Sequence, residues 1–411
     1  MRSAVAFKNP RIAFLHSALP VGGATIFLLN LVGELVRRGI PAQVFSMEKA
    51  HPLSEEFARQ GIPVSLGETN GLIFEDRVYG ALSRVARFRP DVIVANINPG
   101  TCEVLRHAPE DVLRVAVLHA ASQLDVTRCY VGTMDRLITV SSHMRDLLAQ
   151  VTELKSVPKH WAALGIPLAP STHRENVLSG HALRVLYLGT LHDSAKRVRL
   201  FPAILQRLKE AQIPFAWTIA GEGPERRFLE SQMVVNREDQ RIEFTGVVPY
   251  AKVPALLAAH DILLLTSDTE TFSFSLHEAM AAGLVPVASD LPGPVRDIIV
   301  PDAGILVPPA KVSGYADGII WLHANREKMS TMSEKARAAI GREHSVEAMT
   351  DRWLDLLSAP LRKPPQWPAR WDLLPPLISP NSWRFSKLGR FLRRGVAKAV
   401  GMVRSNAIVR S

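Results

Sequence analysis

The sequence has few cysteines and no long apolar run. Only Cys102 and Cys129 occur among 411 residues, and they do not form a C-x-x-C pair. This argues against a disulfide framework and against a structural zinc site. No window holds ~18 consecutive apolar residues, so no membrane-spanning helix is predicted. The apolar stretch near the N-terminus is interrupted at 8–11, unlike the hydrophobic region of a signal peptide. We therefore expect a cytoplasmic protein that is soluble or peripheral.

Acidic residues are absent from the C-terminal end. Residues 381–411 contain eight Lys or Arg residues and no Asp or Glu, which leaves 41 basic against 39 acidic residues elsewhere. The net charge of +10 therefore comes mostly from this end. A nucleic-acid-binding protein carries such charge on its folded domains. We therefore expect no nucleic-acid partner.

Short apolar runs alternate with longer helical patterns along most of the chain. Continuous apolar strands separated by helices are typical of parallel sheets covered on both faces. At about 150 residues per domain, the length predicts two domains, or two plus an appendage. The runs lie at 11–17, 42–47, 91–96, 114–120 and 136–141 in the first half, and at 184–190, 215–221, 242–246, 261–266, 285–289 and 304–308 in the second.

A segment rich in turn formers, 165–183, separates the two series. We place one Rossmann-like domain at 1–170, for the acceptor, and a second at 171–344, for the donor. Such domains bind ligands at the carboxyl ends of their strands. A helix is predicted at 345–359, and its return to the first domain is left open.

The remaining residues, 360–411, are predicted to form a linker and a tail. Residues 360–381 are too rich in proline for a regular element. Residues 386–405 place aliphatic side chains on one helical face and basic side chains on the other. This pattern is typical of a basic amphipathic helix, which either lies on an anionic membrane or docks its apolar stripe on the protein.

Two carboxylates flank the start of a predicted helix in the second half. Glu270 lies in the loop after the run at 261–266, and Glu278 lies in a helix predicted over 275–283. The helix N-terminus would offer backbone amides near Phe274, Ser275 and Leu276 to a phosphate. The carboxylates could accept hydrogen bonds from sugar hydroxyls. An isolated pair of this kind is more often one loop acid and one solvated helix acid.

The pair belongs to a longer ordered series of motifs. The E-x7-E spacing is followed by A-M-A-x-G, by P-V-A-S-D and by GILVPP, and it is preceded by GTL-x4-K, by IAGEGPERRFLE and by TGVVPYAKVPALLAAHDILLLTS. The series resembles the retaining glycosyltransferases of family 4 over roughly residues 11–358, more weakly in the first half. The resemblance implies an α/β GT-B fold, with two Rossmann-like domains whose parallel sheets face a cleft.

The resemblance also assigns roles to the charged residues. In that family the first Glu of the pair contacts the donor sugar and the second contacts the ribose, which implies these roles for Glu270 and Glu278. Lys196 follows a strand end, where its ammonium could neutralise the charge of a leaving phosphate; the alternative is a solvated surface lysine. His119 also ends a strand, and the family has a histidine there that contacts the donor sugar. Such a histidine is otherwise a structural residue.

Glycines and departures from the family pattern complete the candidate site. Gly22 and Gly23 follow the first strand, where missing side chains let a pyrophosphate or sugar approach the backbone, unless they form an ordinary turn. Gly189 is followed by Thr190 instead of the family's arginine. Phosphate stabilisation then loses a cation unless Arg197 or Arg199 replaces it. A second departure is Ser273, which replaces a glycine of the Glu270 loop.

We therefore expect a glycosyltransferase that moves a sugar from a nucleotide-sugar donor to a hydroxyl acceptor with retention, in cell-surface glycan or glycolipid synthesis. By resemblance it needs no metal and no cofactor. Its partners would be a glycan or lipid-linked acceptor and an anionic membrane, on the inner face, bound through 382–405. Two alternatives stay open, namely a GT-B sugar-nucleotide epimerase and a non-catalytic protein that binds sugar nucleotides or glycans. The predicted catalytic residues are His119, Lys196 and Glu270, and the predicted donor-binding residues are Gly22, Gly23, Gly189, Thr190, Arg197, Phe274, Ser275, Leu276 and Glu278.

Overall fold

The computed structural model describes residues 9–20, 22–49, 53–67, 74–168, 182–233, 241–358, 366–368, 371 and 377. The chain divides into two compact units. The first comprises Met1–Val140, Met144–Ala162 and Met349–Ser411, and the second comprises Ser141–His143 and Ala163–Ala348. The predicted boundary at 170/171 stays a prediction, since the division by contacts lies at 162/163.

The first unit is built on a seven-stranded parallel sheet with the order β3-β2-β1-β4-β5-β6-β7. Its strands are β1 (Ile12–His16), β2 (Ala42–Ser46), β3 (Val64–Ser65), β4 (Val92–Asn96), β5 (Leu113–Leu118), β6 (Arg136–Thr139) and β7 (Lys159–Trp161). The helices between them are α1 (Gly23–Arg37), α2 (Ser54–Arg59), α3 (Phe74–Phe88), α4 (Pro99–His107), α5 (Leu124–Cys129) and α6 (Ser142–Ala149).

Five of these strands coincide with predicted apolar runs, while β3 and β7 do not. Strands β1, β2, β4, β5 and β6 are mostly buried, as continuous apolar runs in a doubly covered sheet must be. Strands β3 and β7 are short edge strands with half-buried or exposed side chains. They were not predicted, because each has only two or three residues and β7 includes Lys159 and His160, so neither forms an apolar run.

The second unit is built on a six-stranded parallel sheet with the order β10-β9-β8-β11-β12-β13. Its strands are β8 (Leu183–Leu188), β9 (Phe215–Ala220), β10 (Ile242–Gly246), β11 (Ile262–Leu265), β12 (Val285–Ser289) and β13 (Ile305–Val307). The helices are α7 (Asp193–Lys196), α8 (Phe201–Glu210), α9 (Arg226–Met233), α10 (Val253–Ala258), α11 (Phe274–Ala281), α12 (Val312–Ala324) and α13 (Arg326–Ile340). All six strands coincide with predicted apolar runs.

The last helix, α14 (Val346–Leu357), coincides with the helix predicted at 345–359. From Met349 onward it belongs to the first unit. Its Trp353 is fully buried and packs its ring against Phe27 of α1, with the centroids 5.3 Å apart. The side chain of Asp351 pairs with Arg38, just beyond α1. Buried aromatic packing and an ion pair therefore attach the end of α14 to α1.

The proline-rich segment is described at only a few positions. Trp367 and Trp371 pack against the core of the first unit. The backbone N–H of Leu377 donates to Glu103 Oε1 of α4 at 3.1 Å. The predicted amphipathic helix at 386–405 lies outside the described residues. None of the helices within the described ranges is long and apolar enough to cross a membrane.

Both sheets have one topological switch point, where the strand order reverses. It lies between β1 and β4 in the first sheet and between β8 and β11 in the second. Ligands of open α/β sheets bind outside the carboxyl ends of the strands at such a point. The loops after these strands, and after the neighbouring strand β5, are therefore the places to look for a site.

Candidate functional site

Lys196 and Glu270 form an ion pair at the carboxyl edge of the second sheet. Lys196 Nζ lies 2.6 Å from Glu270 Oε1, and the Glu270 side chain is only 6% exposed. Ser267 Oγ donates to the same carboxylate oxygen at 2.7 Å. The Thr266 hydroxyl donates to the Lys196 carbonyl at 2.7 Å, which fixes the end of α7 to the loop after β11. The structure thus brings together Lys196 and Glu270, which were predicted separately. Their hydrogen-bonding partners Thr266 and Ser267 were not predicted from the sequence.

The two arginines considered as substitutes for the missing family arginine both pair with acids. Arg197, in the left-handed conformation with φ of 49°, pairs with Asp268. Arg199 Nε lies 2.8 Å from Glu225 Oε2. Neither guanidinium contacts Glu270. Lys196 is the cation that the structure places against Glu270.

The turn after β8 is held by buried groups. The exposed Thr190 offers its carbonyl to the hydroxyl of buried Tyr187 at 2.7 Å. Burial and the charge of Glu270 raise the pKa of Tyr187, so this hydroxyl keeps its proton and donates. The neighbouring turn after β9 approaches closely, because a Cβ at Gly221 (φ of 144°) would lie 1.8 Å from the Gly189 carbonyl oxygen. Only glycine fits that position.

Helix α11 begins at Phe274, after Ser273 in the left-handed conformation with φ of 62°. The amides in the first turn of a helix lack intrahelical partners. Of the three predicted amides, that of Leu276 already donates to the Ser273 carbonyl at 3.1 Å. Those of Phe274 and Ser275 make no hydrogen bond within the described residues. These two amides are therefore the ones available to an anion at this helix end.

Glu278 lies one turn into α11, and its carboxyl group has no hydrogen-bonding partner within the described part of the chain. Burial raises its pKa to about 7, because no nearby cation offsets the loss of hydration. This contrasts with Glu270, whose carboxylate is paired. An uncompensated buried carboxyl group favours a ligand that donates hydrogen bonds to it.

Aromatic packing fixes the base of this loop. The Phe272 ring is 5% exposed and stacks on His277, with the centroids 3.8 Å apart. His277 Nδ1 lies 3.0 Å from the Ser273 carbonyl oxygen. Burial and neighbouring His344 lower the pKa of His277 to about 3, so its ring is neutral. Phe272 is thus a core residue. Phe274 is half-buried and packs at the periphery of the core.

His119 follows β5 at the carboxyl edge of the first sheet. Its Nε2 lies 3.0 Å from Asn96 Oδ1 at the end of β4, and its ring meets Phe27 edge-on at 5.5 Å between centroids. The His119 N–H donates to Gln123 Oε1 at 2.7 Å. Burial and the nearby His16 lower the pKa of His119 to about 3, so the imidazole is neutral. Neither Asn96 nor Gln123 was predicted, and no local pattern marks them.

The first glycine of the pair after β1, Gly22, has no steric requirement. Gly22 has an extended backbone, and a Cβ there would meet no atom within 4 Å. Its carbonyl accepts from Thr25 and Ile26 in the first turn of α1, which begins at Gly23. Local packing therefore does not require a glycine at position 22, and the role of Gly22 and Gly23 in admitting a ligand stays a prediction.

No group of three His, Cys, Asp or Glu side chains within the described ranges could hold a metal ion. The predicted acidic pair Asp268 and Glu270 is instead divided between two cations, Arg197 and Lys196. The expectation of a metal-independent reaction stays a prediction.

Family comparisons agree with this arrangement of two units. Residues 21–169 match the model described as Glycosyltransferase Family 4, and residues 182–325 match that described as Glycosyl transferases group 1. The chain belongs to these glycosyltransferases. The prediction made from the E-x7-E series is thereby confirmed at the level of the family.

Individual relatives match parts of this glycosyltransferase. The glycogen synthase of Mycobacterium tuberculosis (strain H37Rv) is 30% identical over 190 residues, which are 45% of this chain and 44% of that protein. The chain thus matches less than half of that relative's length. The putative colanic acid biosynthesis glycosyltransferase WcaL of Escherichia coli (strain K12) is 23% identical over 66% of this chain and 71% of its own.

Solved structures establish the fold. Anabaena HepE in complex with UDP-glucose is 18% identical, with a TM-score of 0.68 over 85% of this chain and 99% of that one. A TarM variant of S. aureus, 13% identical, has a TM-score of 0.71 over 85% of this chain and 100% of that one. The predicted α/β GT-B class is confirmed.

Proposed function

We propose that this glycosyltransferase transfers a sugar from a nucleotide-sugar donor to a hydroxyl acceptor, with retention of the anomeric configuration and without a metal. One observation supports this most directly. The loops at the carboxyl edge of the second sheet and the helix that follows them carry the Lys196–Glu270 ion pair, two α11 amides without a hydrogen bond, and the unpaired carboxyl group of Glu278. Each of these groups matches a different part of a nucleotide-sugar.

Binding of the donor would change the partners of the charged groups at this edge. Its diphosphate would take Lys196 Nζ and the amides of Phe274 and Ser275, because an ammonium and a helix N-terminus both attract an anion. Glu270, released from Lys196, would then accept hydrogen bonds from the sugar hydroxyls. Glu278 would accept from the ribose hydroxyls. The relative HepE has been solved in complex with UDP-glucose, which supports the choice of ligand class.

Electrostatic stabilisation of the leaving group would supply the catalysis. As the bond from the anomeric carbon to the diphosphate breaks, negative charge grows on the phosphate oxygen. A preorganised cation and backbone amides stabilise that charge more strongly than they stabilise the ground state. His119 is neutral and would contact a sugar hydroxyl by hydrogen bonding. No residue is proposed as a covalent nucleophile.

A screen of sugar nucleotides tests the proposal. A donor that binds the folded protein raises its apparent melting temperature, and the donor found in this way is then incubated without acceptor. Slow release of free sugar, with a retained anomer in the presence of acceptor, supports the transferase. Formation of an epimer would identify a sugar-nucleotide epimerase, and binding without turnover would identify a non-catalytic binding protein.

We further propose a lipid-linked or glycan acceptor and reversible attachment to an anionic membrane through residues 382–405, for a role in cell-surface glycan synthesis. This proposal rests on the sequence of the tail alone. Each basic residue near an anionic surface contributes about 1 kcal/mol. Anionic liposomes should sediment the full-length protein at low salt but not a version that ends near Pro380. Failure of both to sediment would indicate a helix that binds the protein or a partner instead.

A further inference from the structure

His119 is held from two sides, by Gln123 in the turn just after it and by Asn96 at the end of the neighbouring strand β4. Gln123 fixes its backbone, because Gln123 Oε1 accepts from the N–H groups of His119 and Ala120 while Gln123 Nε2 donates to the Ile97 carbonyl at 2.6 Å. Asn96 fixes its ring through the 3.0 Å contact of Oδ1 with Nε2. The backbone and the ring therefore have separate supports.

Asn96 is itself rigidly placed. It is 3% exposed, and its backbone pairs with Val117 in the neighbouring strand. Its carbonyl accepts from the Thr101 hydroxyl at 2.6 Å and from Asn98 Nδ2 at 3.2 Å. Asn98 and Thr101 form the capping box of α4. The backbone of Asn96 is thus fixed by β4 and by the start of α4, and it carries the side chain at the end of the strand.

The two atoms of the Asn96 amide are used unequally. Oδ1 contacts His119, whereas Nδ2 is buried without a hydrogen-bonding partner within the described residues. Leaving a buried donor unsatisfied costs about 1–3 kcal/mol. An apolar side chain would avoid that cost if the position served packing alone. We therefore assign the function of this side chain to its amide oxygen, which contacts His119.

We propose that Asn96 is a positioning residue that holds His119 as the Nε2–H tautomer and leaves Nδ1 as a hydrogen-bond acceptor for a substrate hydroxyl. An amide oxygen only accepts, so the facing ring nitrogen must hold the proton. In a neutral imidazole the other nitrogen then has the lone pair. His119 Nδ1 accepts no hydrogen bond within the described residues, and the residue is partly exposed. The role in substrate contact rests on the proposed function.

The tautomer can be measured without any activity. In protein labelled with ¹⁵N-histidine, the His119 signals are assigned by their loss in His119→Gln. We expect the proton on Nε2 in the native protein, a mixture of tautomers in Asn96→Leu, and Nε2–H again in Asn96→Asp. A proton on Nδ1 in the native protein, or an unchanged tautomer in Asn96→Leu, would overturn the proposal.

Kinetics then test the consequence of the tautomer. Loss of one hydrogen bond should lower kcat of Asn96→Leu about three- to tenfold. In Asn96→Asp the new carboxylate should favour the imidazolium, so kcat at saturating donor should fall about tenfold from pH 9 to pH 6 and be near native at pH 9. The titratable neighbour that acts on His119 is His16, at the end of β1, and it is present in all variants. The matched control is Asn98→Asp, which adds a carboxylate two residues from Asn96 and retains a good helix cap. It loses the 3.2 Å contact to the Asn96 carbonyl but keeps the 2.6 Å bond from Thr101, so it should show the native profile.

The two hypotheses fail in different ways. If the native protein transfers no sugar but His119 has the proton on Nε2 and loses this preference in Asn96→Leu, the proposed function is wrong and the role of Asn96 in positioning His119 stands. If the protein transfers sugar and Asn96→Leu has native kcat and tautomer, Asn96 has no such role.

Discussion

At the carboxyl edge of the second sheet, Lys196 and Glu270 meet as an ion pair, whereas at the same edge of the first sheet His119 is uncharged and hydrogen-bonded to Asn96. Both sheets have the same parallel, doubly wound order. The difference between the two edges therefore lies in the residues at the strand ends and in the loops, and not in the order of the strands. Buried charges need partners, while a neutral imidazole needs only hydrogen bonds. The second unit thus holds a buried carboxylate beside a cation and the first holds a neutral hydrogen-bonding ring, which fits the proposed division between a phosphate and sugar hydroxyls.

Removing the cation should have the largest effect. We expect Lys196→Ala to lower turnover about 10²–10³-fold, because it removes leaving-group stabilisation and leaves Glu270 buried without its cation. Arg199→Ala, whose partner is Glu225, is the control and should be nearly native. Turnover is measured with the donor found by thermal screening. If Arg197→Ala or Arg199→Ala were the more damaging change, the phosphate contact would belong to that arginine.

The two glutamates should separate binding from turnover. We expect Glu278→Ala to weaken donor affinity roughly ten- to a hundredfold, since a hydrogen bond to a charged group contributes ~1.5–3 kcal/mol. Glu270→Ala should reduce turnover more than affinity, because its carboxylate is proposed to contact the reacting sugar. Calorimetry and steady-state kinetics measure the two quantities. Unchanged affinity and turnover in both variants would refute the assignment of this edge as the donor site.

The unpaired carboxyl group should make donor binding depend on pH. The pKa of Glu278 is raised to about 7, so its carboxylate, the better acceptor for ribose hydroxyls, is lost as the pH falls through that value. Donor affinity should therefore drop about tenfold from pH 8 to pH 6. Glu278→Gln cannot titrate, and it should bind with a weaker affinity that is constant over this range. A native affinity without pH dependence would show that Glu278 does not contact the donor in its ionised form.

The smallest effect should come from the residue before α11. Ser273 is left-handed, and its buried hydroxyl has no hydrogen-bonding partner within the described residues. Glycine removes the strain of the left-handed backbone and the buried hydroxyl, although it costs backbone entropy on folding. We therefore expect Ser273→Gly to stabilise the protein by about 1 kcal/mol. Ala310→Gly is the control, since Ala310 is exposed and also left-handed, with φ of 61°. A lower melting temperature for Ser273→Gly would show that the serine hydroxyl has a stabilising partner.

The alternation of apolar runs and helical patterns was enough to predict two parallel sheets and most of their strands. The run at 285–289 matches β12 residue for residue, because a strand that is buried on both faces must be almost entirely apolar. The run at 242–246 matches the edge strand β10, whose side chains alternate between half-buried and exposed. The sequence also predicted the family, through motifs whose order and spacing are read directly along the chain. The helix at 275–283 was likewise predicted to within two residues.

Which side chains meet could not be predicted before the fold was known. Lys196 and Glu270 are 74 residues apart, and Asn96 and His119 are 23 apart. Their contacts depend on β8 lying beside β11 and β4 beside β5, which no local pattern encodes. The short edge strands β3 and β7 also depend on pairing, not on composition. The physical reason is that periodicity records which residues are buried, whereas an ion pair or a tautomer depends on which strand ends become neighbours in the sheet.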